Sequence, residues 1–201
     1  MNGINMPLAL TGQEAVMQRV FRKVGLTVEQ IAPYFTGPAF LAWNRMINIK
    51  GWGGELPQTW IDGQQALQKT ILQRERELGM TPVLPAFAGG VPEALQAMHP
   101  EASFTRHGNW GGFAKEHCCV LMVAPKDPLF RKIGQYFVEE VIATYGTNHI
   151  YSCDTFNENR PSASGNDSGL AFLTEASEAV INSMLDADPN AVWLMQVLPA
   201  T

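Results

Sequence analysis

Apolar and polar positions along the chain fall into segments of two periods. Ile4 to Leu10 is an apolar run of strand length. Gly12-Gln13-Glu14 then opens a helix that reaches about Val24 and stops at Gly25, with Glu14 placed to suit the positive end of the helix dipole. Thr27-Val28-Glu29-Gln30 has the spacing of a capping box and predicts a second, short helix. Between Pro33 and Gly54 the Gly, Pro and Trp content predicts a loop, and a connection of that length is expected to serve a function. Leu56 to Leu78 predicts a helix, with Leu67, Ile71 and Leu78 on one face and Gly79 ending it.

The second half repeats the rhythm. Thr81 to Phe87 reads as a buried strand, punctuated by Pro82 and Pro85 and ended by Gly89-Gly90. Val120 to Val123 is a further apolar run that fits a barrel strand, a hairpin or an insertion. Asp127 to Tyr145 carries the clearest helix signal: Asp127 as N-cap, Pro128 at the first helical position, and Leu129, Ile133, Phe137 and Val141 along one face. After Gly146 come a strand at His149 to Cys153, a helix from about Ser168 to Leu185 and a strand at Val192 to Val197. Alternation of this kind predicts an α/β fold whose parallel sheet closes, or begins to close, into a barrel with its sites at the strand C-termini.

Composition narrows the class. With 201 residues, 46% hydrophobic, 16% charged and a net charge of −5, the chain can build a core, is not expected to be disordered and lacks the basic stripe of a nucleic-acid partner. A complete (β/α)8 barrel needs roughly 250 residues. No apolar run reaches the roughly 18 residues of a membrane span, and Met1 is followed by Asn2-Gly3 rather than a signal peptide. Cys118, Cys119 and Cys153 give no disulfide framework and read as small buried thiols. His99, His107, His117 and His149 lack ligand spacing, so no metal is expected.

The candidate chemistry lies in His149 to Glu158, where an apolar strand runs into a polar tip carrying Asp154, Asn157 and Glu158. Glycoside hydrolysis needs one carboxyl group to protonate the leaving oxygen and a second to attack or to activate water. A strand ending in Asn-Glu can hold a sugar hydroxyl with one side chain and deliver a proton with the next.

Three stretches place that tip in a family. Tyr34-Phe-Thr-Gly-Pro-Ala-Phe-Leu-Ala-Trp43, Gly79-Met-Thr-Pro-Val-Leu-Pro-Ala-Phe-Ala-Gly89 and Asp154-Thr-Phe-Asn-Glu158, in this order, resemble the α-N-acetylglucosaminidase family of glycoside hydrolases, and the resemblance runs from Asn2 to about Gln196. It implies that residues 1–201 are a partial catalytic domain, the first half (about strands 1 to 5) of a (β/α)8 TIM barrel. A smaller N-terminal domain, the rest of the barrel and a helical C-terminal domain would then lie outside the chain. It further implies hydrolysis of terminal non-reducing α-linked N-acetyl-D-glucosamine, in animals from heparan sulfate, by a retaining mechanism without cofactor.

Residue by residue, the resemblance implies Glu158 as general acid/base, its pKa raised by a neighbouring carboxylate and apolar walls such as Phe156. Asn157 and Trp43 would contact the sugar, and Asp154 would support the strand end by accepting backbone N–H bonds. The nucleophile would lie on a later strand, beyond Thr201. Trp110 is a weaker sugar candidate, Trp52 and Trp60 read as packing, and Arg45 as a buried ion-pair partner. The implied partner is a glycosaminoglycan or glycoconjugate, with any oligomer formed through absent regions. The full-length parent would be lysosomal or secreted.

The resemblance implies a disulfide, as in vertebrate members, between a cysteine near Cys118-Cys119 and one four residues earlier, but this chain has Lys115 at that place. Asn166-Asp167-Ser168 is a formal glycosylation sequon, and Gly165 to Gly169 is not a nucleophile elbow because its serine comes one place too late. A catalytically inactive half-barrel with at most weak sugar binding is the alternative function. A lyase or aldolase ranks low because Lys50, Lys115 and Lys126 fall in loops or near a helix start rather than at strand ends.

Overall fold

The computed structural model describes residues 3–159 and 169–195. The Asn166 sequon and the end of the last predicted strand, 196–197, lie outside them. Four helices are long enough to shape the fold: α1 (Gln13–Lys23), α4 (Gln58–Glu77), α6 (Pro128–Tyr145) and α7 (Gly169–Ala187). Short helices α2 (Val28–Ile31), α3 (Leu41–Arg45) and α5 (Ala94–Met98) sit between them. The strands are β1 (Leu84–Pro85), β2 (Phe104–Arg106), β3 (Leu121–Val123), β4 (Ile150–Ser152) and β5 (Val192–Trp193).

Local signals explain most of these boundaries. Asp127 caps α6 by accepting from the Leu129 N–H at 2.9 Å, and Pro128 supplies the first helical residue, where its missing N–H costs nothing. The capping box on α2 is complete: Gln30 N–H donates to Thr27 Oγ1 and Thr27 N–H to Gln30 Oε1. The stretch from Pro33 to Gly54 is less of a loop than its composition predicts, since α3 forms within it.

The strands order as β1-β4-β5, all parallel. On the far side of β1 the extended segment around Leu8 adds a fourth parallel strand: Thr81 and Val83 N–H donate to Asn5 and Pro7 carbonyls, and Ala9 N–H to Val83. Pro7 has no N–H to give, which keeps this edge short. The Val120 to Val123 run is not a barrel strand but one arm of an antiparallel hairpin, β2 with β3, inserted between β1 and α6. The result is an unclosed parallel sheet with helices α1, α6 and α7 packed in series beside it, the partial barrel expected of the alternation.

Phe21, Phe87, Phe130, Phe137 and Tyr151 are all essentially inaccessible to solvent and fill the space between helices and sheet. Each contributes roughly 1.5–3 kcal/mol by leaving water. The predicted ladder on α6 is all buried, whereas the face predicted for α4 is wrong. Leu67 and Leu78 are 47% and 46% exposed, and Ile61, Gln68 and Leu72 face the core instead. Gln68 is hidden there because its amide donates to the Ala9 carbonyl at 3.1 Å, tying α4 to the edge strand.

At the N-terminal end of the sheet, Asp188 is buried and accepts from Tyr151 Oη at 2.7 Å and Asn190 N–H at 3.1 Å, with His149 Nδ1 at 2.8 Å. This cluster joins β4 to the turn after α7, on the face opposite the site. The α6–α7 contact is close enough to give a prediction. A Cβ on Gly134 would lie 2.4 Å from Ser183 Oγ and 2.5 Å from its Cβ. Ala normally gains about 0.5–1 kcal/mol over Gly in a helix, but overpacking costs about 1–3 kcal/mol. Gly134→Ala is therefore expected to lower the melting temperature; a rise would show that the two helices can separate freely.

Candidate functional site

After Ser152 the chain leaves β4 at its C-terminal end, the end where parallel barrels keep their chemistry. Residues Cys153 to Glu158 line a 430 Å³ cavity whose other wall is Leu173, Ala176 and Ser177 of α7 with Trp193 and Met195. A second cavity of 260 Å³ lies toward β1 and α3, with Tyr34, Arg45, Ile47 and Ala86 among its lining. Cys153 and Asp154 border both, so the strand tip forms the wall between them.

Of the predicted residues, Glu158 ends this tip with φ +52°, a left-handed conformation that few non-glycine residues hold without outside support. That support is visible. Trp110 Nε1 donates to Glu158 Oε2 at 3.0 Å, and the Asn159 N–H donates to the Phe156 carbonyl at 3.0 Å. Apolar side chains, Phe156, Leu173 and Trp193 among them, share the cavity lining with Glu158. The Glu158 side chain itself stands exposed, and the Phe156 ring contacts His107 at 6.0 Å and Phe172 at 5.8 Å.

Asn157 is fixed by a reciprocal pair. Its amide donates to Asn48 Oδ1 at 3.2 Å, and the Asn48 amide donates to the Asn157 carbonyl at 2.8 Å. Asn48 is itself 1% exposed, so the loop after α3 holds the strand tip rigidly. Asp154 is half-buried; burial pushes its carboxyl above the ordinary aspartate range, against a hydrogen bond from the Phe156 backbone. Cys153 beside it is pushed up to about 12 by burial and so remains a neutral thiol. Trp43 is 39% exposed, on the rim at 6.5 Å from Phe40, and lines neither cavity.

Three further groups stand around this site; the sequence offers Trp110 as a weaker sugar candidate and does not offer His107 or Tyr34 as site residues. The hairpin carries Trp110 up to Glu158, which makes that indole a direct partner of the candidate acid. His107, at the end of β2, is buried with neither ring nitrogen in a regular hydrogen bond; burial holds its imidazole below the ordinary histidine range, while backbone groups of Ile47 and Thr155 favour its charged form. It sits where the hairpin, the loop after α3 and the strand tip meet. Tyr34 points a buried, unpartnered hydroxyl toward Gly90, where a Cβ would lie 2.8 Å from it. The surroundings of all three depend on segments far apart in the chain, so no local sequence signal shows their contacts.

The hairpin is held by charge. Arg106 donates to both Glu93 oxygens, at 2.8 and 2.6 Å, and Lys50 approaches the same carboxylate from the loop after α3. The Arg106 guanidinium first, with Lys50 adding to it, draws the Glu93 carboxyl down to about 2. A depressed acid contributes stability above its unfolded pKa of about 4.3 and loses it as pH falls through the folded value. Glu93→Gln is thus expected to lower the melting temperature most above about pH 5, with the gap to the unsubstituted protein closing between about pH 4 and 2. Melting curves across that range check it, and a gap independent of pH would rule out the ionic strut.

Arg45 behaves as expected, with Nε 2.7 Å from Glu14 Oε1 and Nη2 3.0 Å from Oε2. Trp52 does not: it is 39% exposed rather than packed inside. Among the described residues no group of three His, Cys, Asp or Glu side chains could hold a metal ion, and no helix is long and apolar enough to cross a membrane. The three cysteines are free. Chemically, the tip offers one exposed carboxyl, a second that burial favours in its protonated form, and fixed amide and indole donors.

Known proteins resemble this chain over nearly its whole length. The family model described as the alpha-N-acetylglucosaminidase (NAGLU) tim-barrel domain matches residues 1–199. The alpha-N-acetylglucosaminidase of Homo sapiens is 48% identical over 196 residues, which are 98% of this chain and 26% of that protein. A family 89 glycoside hydrolase from Clostridium perfringens, solved with 2-acetamido-1,2-dideoxynojirmycin, superposes with a TM-score of 0.85 at 29% identity, over 98% of this chain and 22% of that one. The same bacterial enzyme with two glutamates replaced by glutamine, bound to its substrate GlcNAc-alpha-1,4-galactose, gives 0.85 at 28% identity, over 97% and 22%. The chain thus spans about a quarter of the length of these relatives.

Proposed function

Because this chain belongs to the α-N-acetylglucosaminidase (NAGLU) TIM-barrel family, we propose that it supplies part of the catalytic barrel of a glycoside hydrolase acting on terminal, non-reducing α-linked N-acetyl-D-glucosamine. Glu158 is the general acid/base in this reading. The observation that carries it is the placement of an exposed carboxylate, held by Trp110, at the C-terminal tip of a central parallel strand beside a cavity of 430 Å³. In the first step Glu158 gives its proton to the glycosidic oxygen as that bond breaks; a second carboxylate bonds to the sugar carbon. In the second step Glu158 takes a proton from water, which displaces that carboxylate with net retention.

The second carboxylate is assigned to a part of the full-length polypeptide beyond Thr201. Two features support this. The two glutamates substituted in the bacterial enzyme are more than a hundred positions apart, and a partner that far downstream of Glu158 falls outside the chain. The sheet also leaves apolar surface uncovered at both edges, with Ile4 67%, Leu8 57%, Val192 55% and Met195 53% exposed, as a barrel interior does before its remaining strands close it. Further domains before and after the barrel complete the protein in this reading. Asn157 and Trp43 contact the sugar, Asp154 stiffens the strand tip, heparan sulfate is the animal substrate, and the site of action is lysosomal or secreted.

The same uncovered edges favour a second reading for the chain alone, an inactive half-barrel. One assay separates the possibilities: hydrolysis of a chromogenic α-N-acetylglucosaminide by the 201-residue chain and by the full-length polypeptide that carries it, with the product anomer followed by NMR. Turnover by the full-length form alone, with α product first, is the expected result. Turnover by the short chain would place both carboxylates inside it, and β product first would overturn retention.

A further inference from the structure

Beyond the strand tip, the densest array of chemistry-bearing side chains is aromatic, and it runs from Trp110, the partner of Glu158, to Trp43. Starting from Trp110, which holds Glu158, the rings touch in series: Phe113 at 6.0 Å and nearly parallel, Trp52 at 5.2 Å from Phe113, Phe40 at 6.3 Å from Trp52, and Trp43 at 6.5 Å from Phe40. His117 closes on Trp52 edge-on at 5.0 Å.

Aromatic clusters that serve folding end up inside, where an indole gains most from leaving water. This one does not. Trp43 and Trp52 are each 39% exposed, and Phe40, Phe113 and Trp110 are half-buried. The backbone beneath is built to present them. A Cβ on Gly37 would lie 2.4 Å from the Gly53 carbonyl oxygen, and one on Gly53, at φ +80°, would lie 2.8 Å from the Phe40 ring. The two turns therefore pack closely against each other and against the Phe40 ring.

An exposed ring face with a polar rim suits a pyranose, which carries C–H bonds on its faces and hydroxyls around its edge; the electron-rich face of the indole attracts the C–H dipoles. The position of the acid says which sugar. A general acid protonates the bridging oxygen, so it stands against the leaving-group side of the scissile bond, and the ring series starts at the acid's own partner, Trp110. We propose that Trp52, backed by Phe113 and Phe40, is a stacking platform for the pyranose rings on the leaving-group side. This rests on the acid role assigned to Glu158 above.

The test uses the full-length polypeptide and two substrates: methyl α-N-acetylglucosaminide, whose leaving group has no ring, and a trisaccharide with α-linked N-acetylglucosamine at its non-reducing end. Trp52→Leu keeps apolar volume against its neighbours but removes the ring. It is expected to raise KM for the trisaccharide about tenfold, the factor that ~1.4 kcal/mol of stacking is worth, and to leave kcat and KM for the methyl glycoside unchanged within about twofold, with Trp52→Phe recovering most of the loss. If Trp52→Leu melts early, Phe113→Leu must show the same split. Equal losses on both substrates, or an unchanged trisaccharide KM, overturn the platform. Failure of the unsubstituted protein to cleave either substrate overturns the hydrolase reading instead.

Discussion

Glu158→Gln in the full-length polypeptide is expected to lower kcat by about 10²–10⁴-fold, the usual worth of a positioned general acid or base. The amide keeps the shape of the carboxyl and can still accept the Trp110 indole N–H, which sits 3.0 Å from Oε2. The fold should therefore survive and the loss should be chemical. It should also depend on the leaving group. An alkyl or sugar glycoside needs its oxygen protonated as the bond breaks and should lose most. A nitrophenyl glycoside leaves as a stable anion, so for it the loss should shift to the second step, where the base is needed. Asp154→Asn is the control: its carboxyl belongs to the wall between two cavities and should matter far less. Full activity in Glu158→Gln, or a larger loss in Asp154→Asn, would mean the acid is misassigned.

Arg45→Met is expected to destabilise the protein by about 3–5 kcal/mol, the cost of leaving one member of a buried ion pair uncompensated. Glu14 is 1% exposed and meets the Arg45 guanidinium through two bonds, 2.7 and 3.0 Å long. Arg45 retains some contact with water through the second cavity, with 20% of its side chain exposed, whereas Glu14 has none to fall back on. The order of effects follows. Removing the arginine should cost more than Glu14→Gln, which leaves a neutral group under a partly wetted cation. Thermal or urea unfolding of the two variants gives this order directly, and equal losses would show that the pair acts by packing rather than charge.

How much of this was legible in the chain depends on how local the cause is. Helix α6 could be placed from Asp127, Pro128 and the four apolar residues behind them, because an N-cap and a ladder at helical spacing act within one element. The capping box of α2 and the strand that delivers Glu158 are of the same kind. Helix α4 could be located but not oriented. Its buried face contains Gln68, and a glutamine looks like a surface residue until the Ala9 carbonyl arrives to satisfy it. The Val120 to Val123 run could be recognised as buried, but its partner across the hairpin lies seventeen residues earlier, and nothing local distinguishes that pairing from a barrel strand.

The candidate site divides in the same way. Which carboxylate is the candidate, at which strand end and in which family, could be read from the sequence alone: the Asp154 to Glu158 motif, together with two other stretches, carries that reading without reference to neighbours. Only the tertiary structure decided the surroundings of that carboxylate. It brought Trp110 from the hairpin and Asn48 from the loop after α3 onto the tip, set Phe156 against His107, and left Trp52 on the surface in contact with Phe40, Phe113 and His117. The physical reason is range. Caps, turns and periodicity are set by residues within a few positions of one another, whereas burial, hydrogen-bond satisfaction and ring contacts are properties of groups that meet only after the sheet and helices have packed.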